Sequence, residues 1–410
     1  MANSKVVKSL AVLTAILITG IFSWQMFMSL AFFNTINDLP EYYVAAQLAL
    51  QGKGSLIYKA QEFYNWQDKF FPGGGHGVLL FIPPPGVMWL LILAAIPAGS
   101  APVVWTVFLE LVLMAAIILL IRLFRLNFLN SLVLWCFTFF SGAAVDAVRI
   151  GQIAPLLLLA FTFLLMGLSE GSAVAAGIAL SFFMCKPQQI IPFAIYLLGN
   201  KQFKPIAIAA SVALALTVGS IFLMGVESYQ NYLQLIADPN SIKIMQPELN
   251  PTIKGQLAKF LGANNIIVKL ISEICFVLSS LLIFLLARKQ NGKDGWLKIG
   301  LIGAVPLGLV SSIHCHHYDL LLLIPSIILS LQISKEDSIQ IPQTTLIKIL
   351  AVAIVACFLF PVYMPMRYDY LMKGGTFDPT FFLLASYAVT TFICCWRAHP
   401  KQSLDLQEGS

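Results

Sequence analysis

Apolar and polar positions in this chain do not alternate; they fall into long apolar blocks separated by short polar breaks. The blocks lie at 9–33, 78–98, 102–121, 128–145, 153–169, 172–198, 204–225, 265–287, 299–313, 318–333, 346–364 and 380–396. Continuous runs of this kind predict helices, since a barrel strand would show a period of two. Two blocks are interrupted: Lys186 with Pro187 splits 172–198, and Pro83, Pro84 and Pro85 sit in the first turns of 78–98. Half-helices lining a cavity are therefore expected, and twelve full crossings is an upper reading. The expected fold is all-α, a polytopic integral membrane protein with about 10–12 transmembrane helices.

The polar breaks set an expected topology. Lys5 and Lys8 precede a first block too long for a signal-peptide core, so it should remain as a helix with its amino terminus in the cytoplasm. The interval 34–77 reads as a structured first extracytoplasmic loop. Its residues 40–70 suggest short amphipathic helices broken at Gly52 and Gly54, with Tyr42, Tyr43, Tyr58, Tyr64 and Trp66 suited to the membrane interface. Counting crossings from inside places 200–204, 288–298 and 397–401 in the cytoplasm, as the positive-inside rule asks. The same count puts 226–264 outside as a second large loop. It also strands Arg122 and Arg125 outside and puts 146–152 inside, which a re-entrant or broken segment within 78–198 would repair. The chain reads as one domain over 1–400 with a polar cytoplasmic tail at 401–410, and it shows no internal duplication.

Composition agrees with the pattern: 59% of the 410 residues are hydrophobic and 11% charged, against about 25% charged in an ordinary soluble chain. A soluble core is excluded. The net charge of +6 is spread over short clusters between apolar blocks, which orients a membrane protein and forms no patch for nucleic acid. The seven cysteines, at 136, 185, 275, 315, 357, 394 and 395, lack metal-type spacing and read as free small hydrophobes. Cys394 and Cys395, near the end of the last block, have acylation as an alternative.

An ionisable group in the membrane costs roughly 2.5–3.5 kcal/mol on insertion scales, so each one needs a reason. Four places stand out. Asn37, Asp38, Leu39, Pro40, Glu41, Tyr42 and Tyr43 follow the first block, where Asp38 has two compatible readings. It could be a general base toward a hydroxyl, or a helix N-cap with Glu41 at the capping-box distance. Residues 311–319 hold His314, His316 and His317, three of five histidines. These suggest donors facing a leaving phosphate, a metal site if His314 and His317 share a helical face, or a polar helix junction. Asp146 and Arg149, beside Gly151 and Gln152, are spaced for an intrahelical pair. Lys186 either snorkels to an interface or faces a ligand.

These stretches, in this order, resemble glycosyltransferase family 87, a GT-C-fold family that includes polyprenol-phosphate-mannose-dependent mannosyltransferases acting on phosphatidylinositol mannosides. The resemblance runs over most of the chain. Residues 38–43 with Ala45, Ala46, Gly52 and Tyr58 look like the family's acidic, aromatic and glycine opening. Residues 81–85 look like its aromatic-Pro-Pro step, 149–152 its Gly-Gln step, Lys186 with Pro187 its Lys-Pro step, and 250–257 its Asn-rich outer loop. The histidine stretch resembles a Ser-Pro-x-Ser-Trp-x-His signature with His317 at the histidine. Ser312 stands where proline is usual, His314 where serine is and Cys315 where tryptophan is, so the pocket departs locally from the family pattern.

The resemblance implies an inverting transfer of a hexose, mannose first among them, from a polyprenyl-phosphate sugar to a lipid or glycan hydroxyl on the outer face of the cell membrane. Asp38 would be the base and His317 the principal partner of the leaving phosphate. His316, Lys186, Arg149 and Gln152 would contact the donor; Glu41, Tyr42, Tyr43, Asn250 and Lys254 would contact the acceptor or its loop. No metal and no cofactor beyond the lipid-linked donor is expected. A secondary transporter or flippase for a lipid-linked or anionic substrate is the alternative, for which internal repeats would be the mark.

Overall fold

A computed structural model describes residues 2–32, 38–72, 78–238, 240–241, 246–293, 295–333, 339–341, 343–359, 371 and 373–400. Asn37, the rest of 34–37 and 73–77 in the first loop, 242–245 in the second, 360–364 of the penultimate block and the tail 401–410 lie outside the described residues. The architecture is all-α; the two-residue strands Ile339–Gln340 and His399–Pro400 make one short antiparallel pairing.

Among the described residues, four helices are long and apolar enough to cross a bilayer: Ala101–Leu123, Phe203–Met224, Ile266–Gln290 and Pro379–Trp396. A fifth crossing is available from Phe128–Phe140 and Gly142–Arg149, a pair bent by 50°. Seven shorter apolar helices bring the total to twelve segments, one for each apolar block. Among the described residues each block thus holds a helical segment, but only four or five, against the 10–12 expected, are long and apolar enough to cross; Pro84 and Lys186 with Pro187 interrupt two of the blocks. The apolar surface confirms the solvent: Phe222 is 86% exposed, and Leu214 and Val277 are 64% exposed. Side chains of this kind are at home against lipid.

The breaks have local causes. Lys186 (φ −145°, ψ 69°) is held out of helical geometry by the following Pro187. The block 172–198 therefore becomes Ala173–Ser181 running into a 3-10 turn Phe182–Cys185, and then a separate helix Pro187–Gly199. At the 50° bend the Ser141 hydroxyl accepts from the Ala144 N–H at 3.1 Å, restarting the chain as Gly142–Arg149. Both breaks fall within 78–198, where the sequence called for a broken segment.

The first loop is a helix Leu39–Leu50, a 3-10 turn Gly54–Tyr58 and a helix Ala60–Phe70. Only the last is amphipathic in the expected sense. Leu39–Leu50 is buried on nearly every side and packs on the 3-10 segment Met88–Ala95. Three tyrosines predicted at the interface, Tyr42, Tyr43 and Tyr58, are buried instead, and Tyr58 donates to the Ile82 carbonyl at 2.8 Å. Cys394 and Cys395 are likewise buried, which leaves no lipid-facing thiol there for acylation. The bent helix Gly142–Arg149 packs on the 3-10 turn His317–Leu323, bringing the middle of the chain onto the histidine stretch.

Candidate active site

The centre of the site is built on a helix end. Gly142–Arg149 stops in a Schellman arrangement: the Gly151 N–H meets the Val148 carbonyl at 3.2 Å and the Gln152 N–H meets the Ala147 carbonyl at 2.7 Å. Gly151 has φ +80°, a conformation that a side chain would strain. Its carbonyl accepts from the Trp105 indole at 2.8 Å, which ties the turn to the spanning helix Ala101–Leu123. The preceding carbonyl, Ile150, accepts the Asp38 N–H at 2.6 Å. One turn thereby places Gln152 and Asp38 side by side.

Asp38 occupies the N-cap position of Leu39–Leu50, yet its side chain makes no cap bond, and the capping box with Glu41 does not form. The backbone there (φ −81°, ψ −4°) is already helical, whereas a capping side chain needs an extended residue. The carboxylate turns to Gln152, whose Nε2 donates to Asp38 Oδ2. Burial pushes the Asp38 carboxyl from 3.8 up to about 6, against the opposing pull of the Gln152 hydrogen bond and the Lys186 charge. Glu41 is buried nearby; burial first, then the Asp38 charge, hold it well above the usual carboxyl range. Two adjacent carboxyl groups are thus both held above the ordinary carboxyl range by burial.

Gln152 Oε1 accepts from Tyr42 Oη at 2.9 Å and from Lys186 Nζ at 3.3 Å. Lys186 neither snorkels nor stands alone: Nζ lies 3.0 Å from Asp319 Oδ1 in a buried pair and 4.8 Å over the Tyr318 ring. The other Asp319 oxygen accepts the His316 N–H at 3.0 Å, which fixes the entry to the turn His317–Leu323. His317 Nε2 lies 2.5 Å from Asp146 Oδ2, and Asp146 Oδ1 accepts from Arg149 at 3.1 Å. The expected Asp146–Arg149 pair is present, with His317 as a third member. The His317 ring meets Tyr318 at 5.4 Å between centroids, so the two hydrogen-bonded sets share that tyrosine.

The histidines are not on one helical face. Residues 312–316 are non-helical and the 3-10 turn starts at His317, so the geometry proposed for a His314–His317 metal pair is absent. Among the described residues no group of three or more His, Cys, Asp or Glu side chains is gathered for a metal. Burial, and then the charges of His316, Lys186 and Lys254, push His314 well below the usual imidazole range. As a neutral ring its Nδ1 can accept from Asn250 Nδ2 at 3.3 Å. Asn250 is fully buried and its Oδ1 has no partner among the described residues. Its loop is held by the Thr252 cap on Gly255 N–H at 3.1 Å, and a side chain at Gly255 would overlap the Asn250 carbonyl. At Ser312, where the family pattern has proline, φ is −56°, which proline would also adopt. Serine adds a hydroxyl that donates to the His314 carbonyl at 3.0 Å.

Asp38, Gln152, Lys186, Asp319, Tyr42 and Tyr318 therefore form one cluster, with His316, His317, Asp146 and Arg149 along its edge. Asn250 joins through His314, and half-buried Lys254 is near enough to act on that ring. Tyr43 is the exception: its hydroxyl donates to the Ile96 carbonyl at 2.8 Å and its ring packs on Phe70 and Phe71. Sequence reasoning did not single out Trp105, and it held Tyr318 and Asp319 in the histidine stretch without pairing either with Lys186.

A family model described as Glycosyltransferase family 87 matches residues 81–312. No curated protein and no solved structure matches the chain. The matched span carries Arg149, Gln152, Lys186, Asn250 and Lys254; Asp38, His316 and His317 lie outside it and join it through the bonds above.

Proposed function

Because this chain belongs to glycosyltransferase family 87 and is a membrane glycosyltransferase, we propose that it moves a hexose, with mannose as the first candidate, from a polyprenyl-phosphate sugar to a lipid or glycan hydroxyl. The observation that carries this reading is the single buried link from Asp38 through Gln152 to Lys186. It brings a proton acceptor and a cation into one site, and an inverting displacement with an anionic leaving group uses both.

In the proposed step Asp38 takes the proton of the acceptor hydroxyl, and that oxygen attacks the anomeric carbon. The bond from this carbon to the phosphate oxygen breaks, and the electron pair leaves with the lipid phosphate, so the configuration inverts. A hydroxyl is a poor nucleophile until its proton is taken, and a positioned base supplies both removal and aim. The leaving phosphate gains charge as the bond breaks; Lys186, His316 and His317, with Arg149 beyond, are the groups offered to it. Asp319 and Asp146 hold Lys186 and His317 in place. Asn250 Oδ1, buried without a partner among the described residues, is offered to a sugar or acceptor hydroxyl, since a donor there would relieve an unsatisfied acceptor. Tyr42 serves the site through Gln152, and Tyr43 serves the loop that carries Asp38.

The proposed site faces the outside of the cell membrane, with the amino terminus in the cytoplasm, a reading that the distribution of lysine and arginine supports. Purified protein given polyprenyl-phosphate mannose and membrane-lipid acceptors should release polyprenyl phosphate and glycosylate a lipid. Release with no glycosylated product, or no reaction with any lipid-phosphate sugar, would overturn the proposal.

A further inference from the structure

Gln152 is 5% exposed and its amide is held at both ends. The oxygen end faces Lys186 Nζ at 3.3 Å and Tyr42 Oη at 2.9 Å; the nitrogen end faces Asp38 Oδ2. Chemistry fixes which end is which. An ammonium has three hydrogens and no acceptor, so only the amide oxygen can face Lys186. The –NH2 end must then point at Asp38, where it can only donate. Lys186 is fixed in turn by buried Asp319 at 3.0 Å, and the Gln152 backbone is fixed by the glycine turn at 151. Every rotatable part of this chain of contacts has a partner.

We infer that Gln152 is a positioning residue for the base: Lys186 and Tyr42 lock its amide so that it holds the Asp38 carboxylate in one orientation, Oδ2 engaged and Oδ1 presented to the acceptor hydroxyl. This inference rests on the proposed transfer reaction for its kinetic consequence, and departs from a role for Gln152 as a phosphate ligand. The titratable and charged groups around Asp38 are Glu41 and Tyr42 from its own helix, Lys186 from the break before Pro187, and Tyr318 with Asp319 from the turn beyond. Arg149, just before Ile150, is turned to Asp146. The Gln152 hydrogen bond acts on Asp38 in the same sense as the Lys186 charge, favouring the ionised form against burial. Removing it should raise the pH at which Asp38 loses its proton, and the acid limb of the rate profile should move up with it.

Gln152→Met keeps the length and removes both polar ends; Tyr42→Phe removes one of the two donors that lock the amide. For Gln152→Met the expected result is a kcat at neutral pH lower by roughly 10-fold to 100-fold. The acid limb should shift upward by about one pH unit or more, with KM for the lipid-phosphate donor within about twofold of wild type. Tyr42→Phe should move the same limb by less, and it stands in if Gln152→Met does not fold. A donor KM raised tenfold or more with an unmoved acid limb would overturn the inference in favour of a phosphate ligand. An unchanged kcat and limb would overturn it outright. A second readout does not depend on turnover: infrared titration of the Asp38 carboxyl band in purified protein, identified by its absence in Asp38→Asn. An upward shift in Gln152→Met or Tyr42→Phe supports the inference even if no lipid-phosphate sugar proves to be a donor; an unmoved band refutes it.

Discussion

Asp38→Asn separates the chemistry of the site from its structure. Asparagine has the size of aspartate, and its Oδ1 can still accept from Gln152 Nε2, so the cluster keeps its bonds; what is lost is the charge and the ability to take a proton. Burial has raised the carboxyl from 3.8 to about 6. A raised value means the folded protein binds the proton more tightly than the unfolded chain, so keeping Asp38 ionised costs stability. That cost is absent below about pH 4, grows up to about pH 6 and is complete above it. Two pH units at about 1.4 kcal/mol each put it near 3 kcal/mol. The neutral variant avoids it and should melt no lower than wild type at pH 7.5, with any advantage fading toward pH 4. Activity should move the other way, by about 100-fold to 10,000-fold, as for other general bases, or about 3–5 kcal/mol in the barrier. Glu41→Gln is the control: glutamine keeps the size and polarity of this buried side chain, and Glu41 is not the proposed base, so it should lose little transfer. The assay is transfer from a polyprenyl-phosphate sugar, with thermal unfolding of each detergent-solubilised variant across the pH range. Near wild-type transfer in Asp38→Asn would refute the base, and a melting point that falls with the activity would refute the burial argument.

Three further outcomes follow from the same geometry. His317→Ala should lose far more turnover than His314→Ala, because His317 is braced by Asp146 whereas His314 packs on Asn250; equal losses accompanied by lost bound zinc would point to a metal site instead. Lys186→Met should destabilise the fold by about 3–5 kcal/mol by stranding buried Asp319, and Lys186→Met with Asp319→Asn should recover part of it; additive losses in unfolding experiments would show that the pair is not coupled. Cysteines placed at Lys53 or Asn240 should react with an impermeant reagent in intact cells, and labelling only after permeabilisation would reverse the topology.

What could be read from the chain was local. Each apolar block became a helical segment, because continuous hydrophobicity is a property of neighbours. Lys186 left the helix because Pro187 follows it, and Asp146 met Arg149 because they are three residues apart. The site itself depends on pairs with no such spacing. Gln152 and Asp38 are 114 residues apart, Lys186 and Asp319 are 133, and His317 and Asp146 are 171. Family resemblance named stretches that the fold gathers into one cluster, while their pairing came only from the fold. Asp38 shows the cost of local reasoning. Its N-cap position was legible, but a side chain cannot cap and face Gln152 at once, and the second role is the one formed. Trp105 gave no signal beyond an indole near the start of a spanning helix, and Tyr318 none beyond its place beside the histidines.

The central claim is an inverting sugar transfer from a lipid phosphate. The most direct measurement supplies purified protein with a panel of polyprenyl-phosphate hexoses of known anomeric configuration, alongside nucleotide sugars, and determines the product linkage by nuclear magnetic resonance. The account predicts transfer from at least one lipid-phosphate sugar, with the opposite anomeric configuration in the product. Transfer only from a nucleotide sugar, or a product that keeps the donor's configuration, would contradict it.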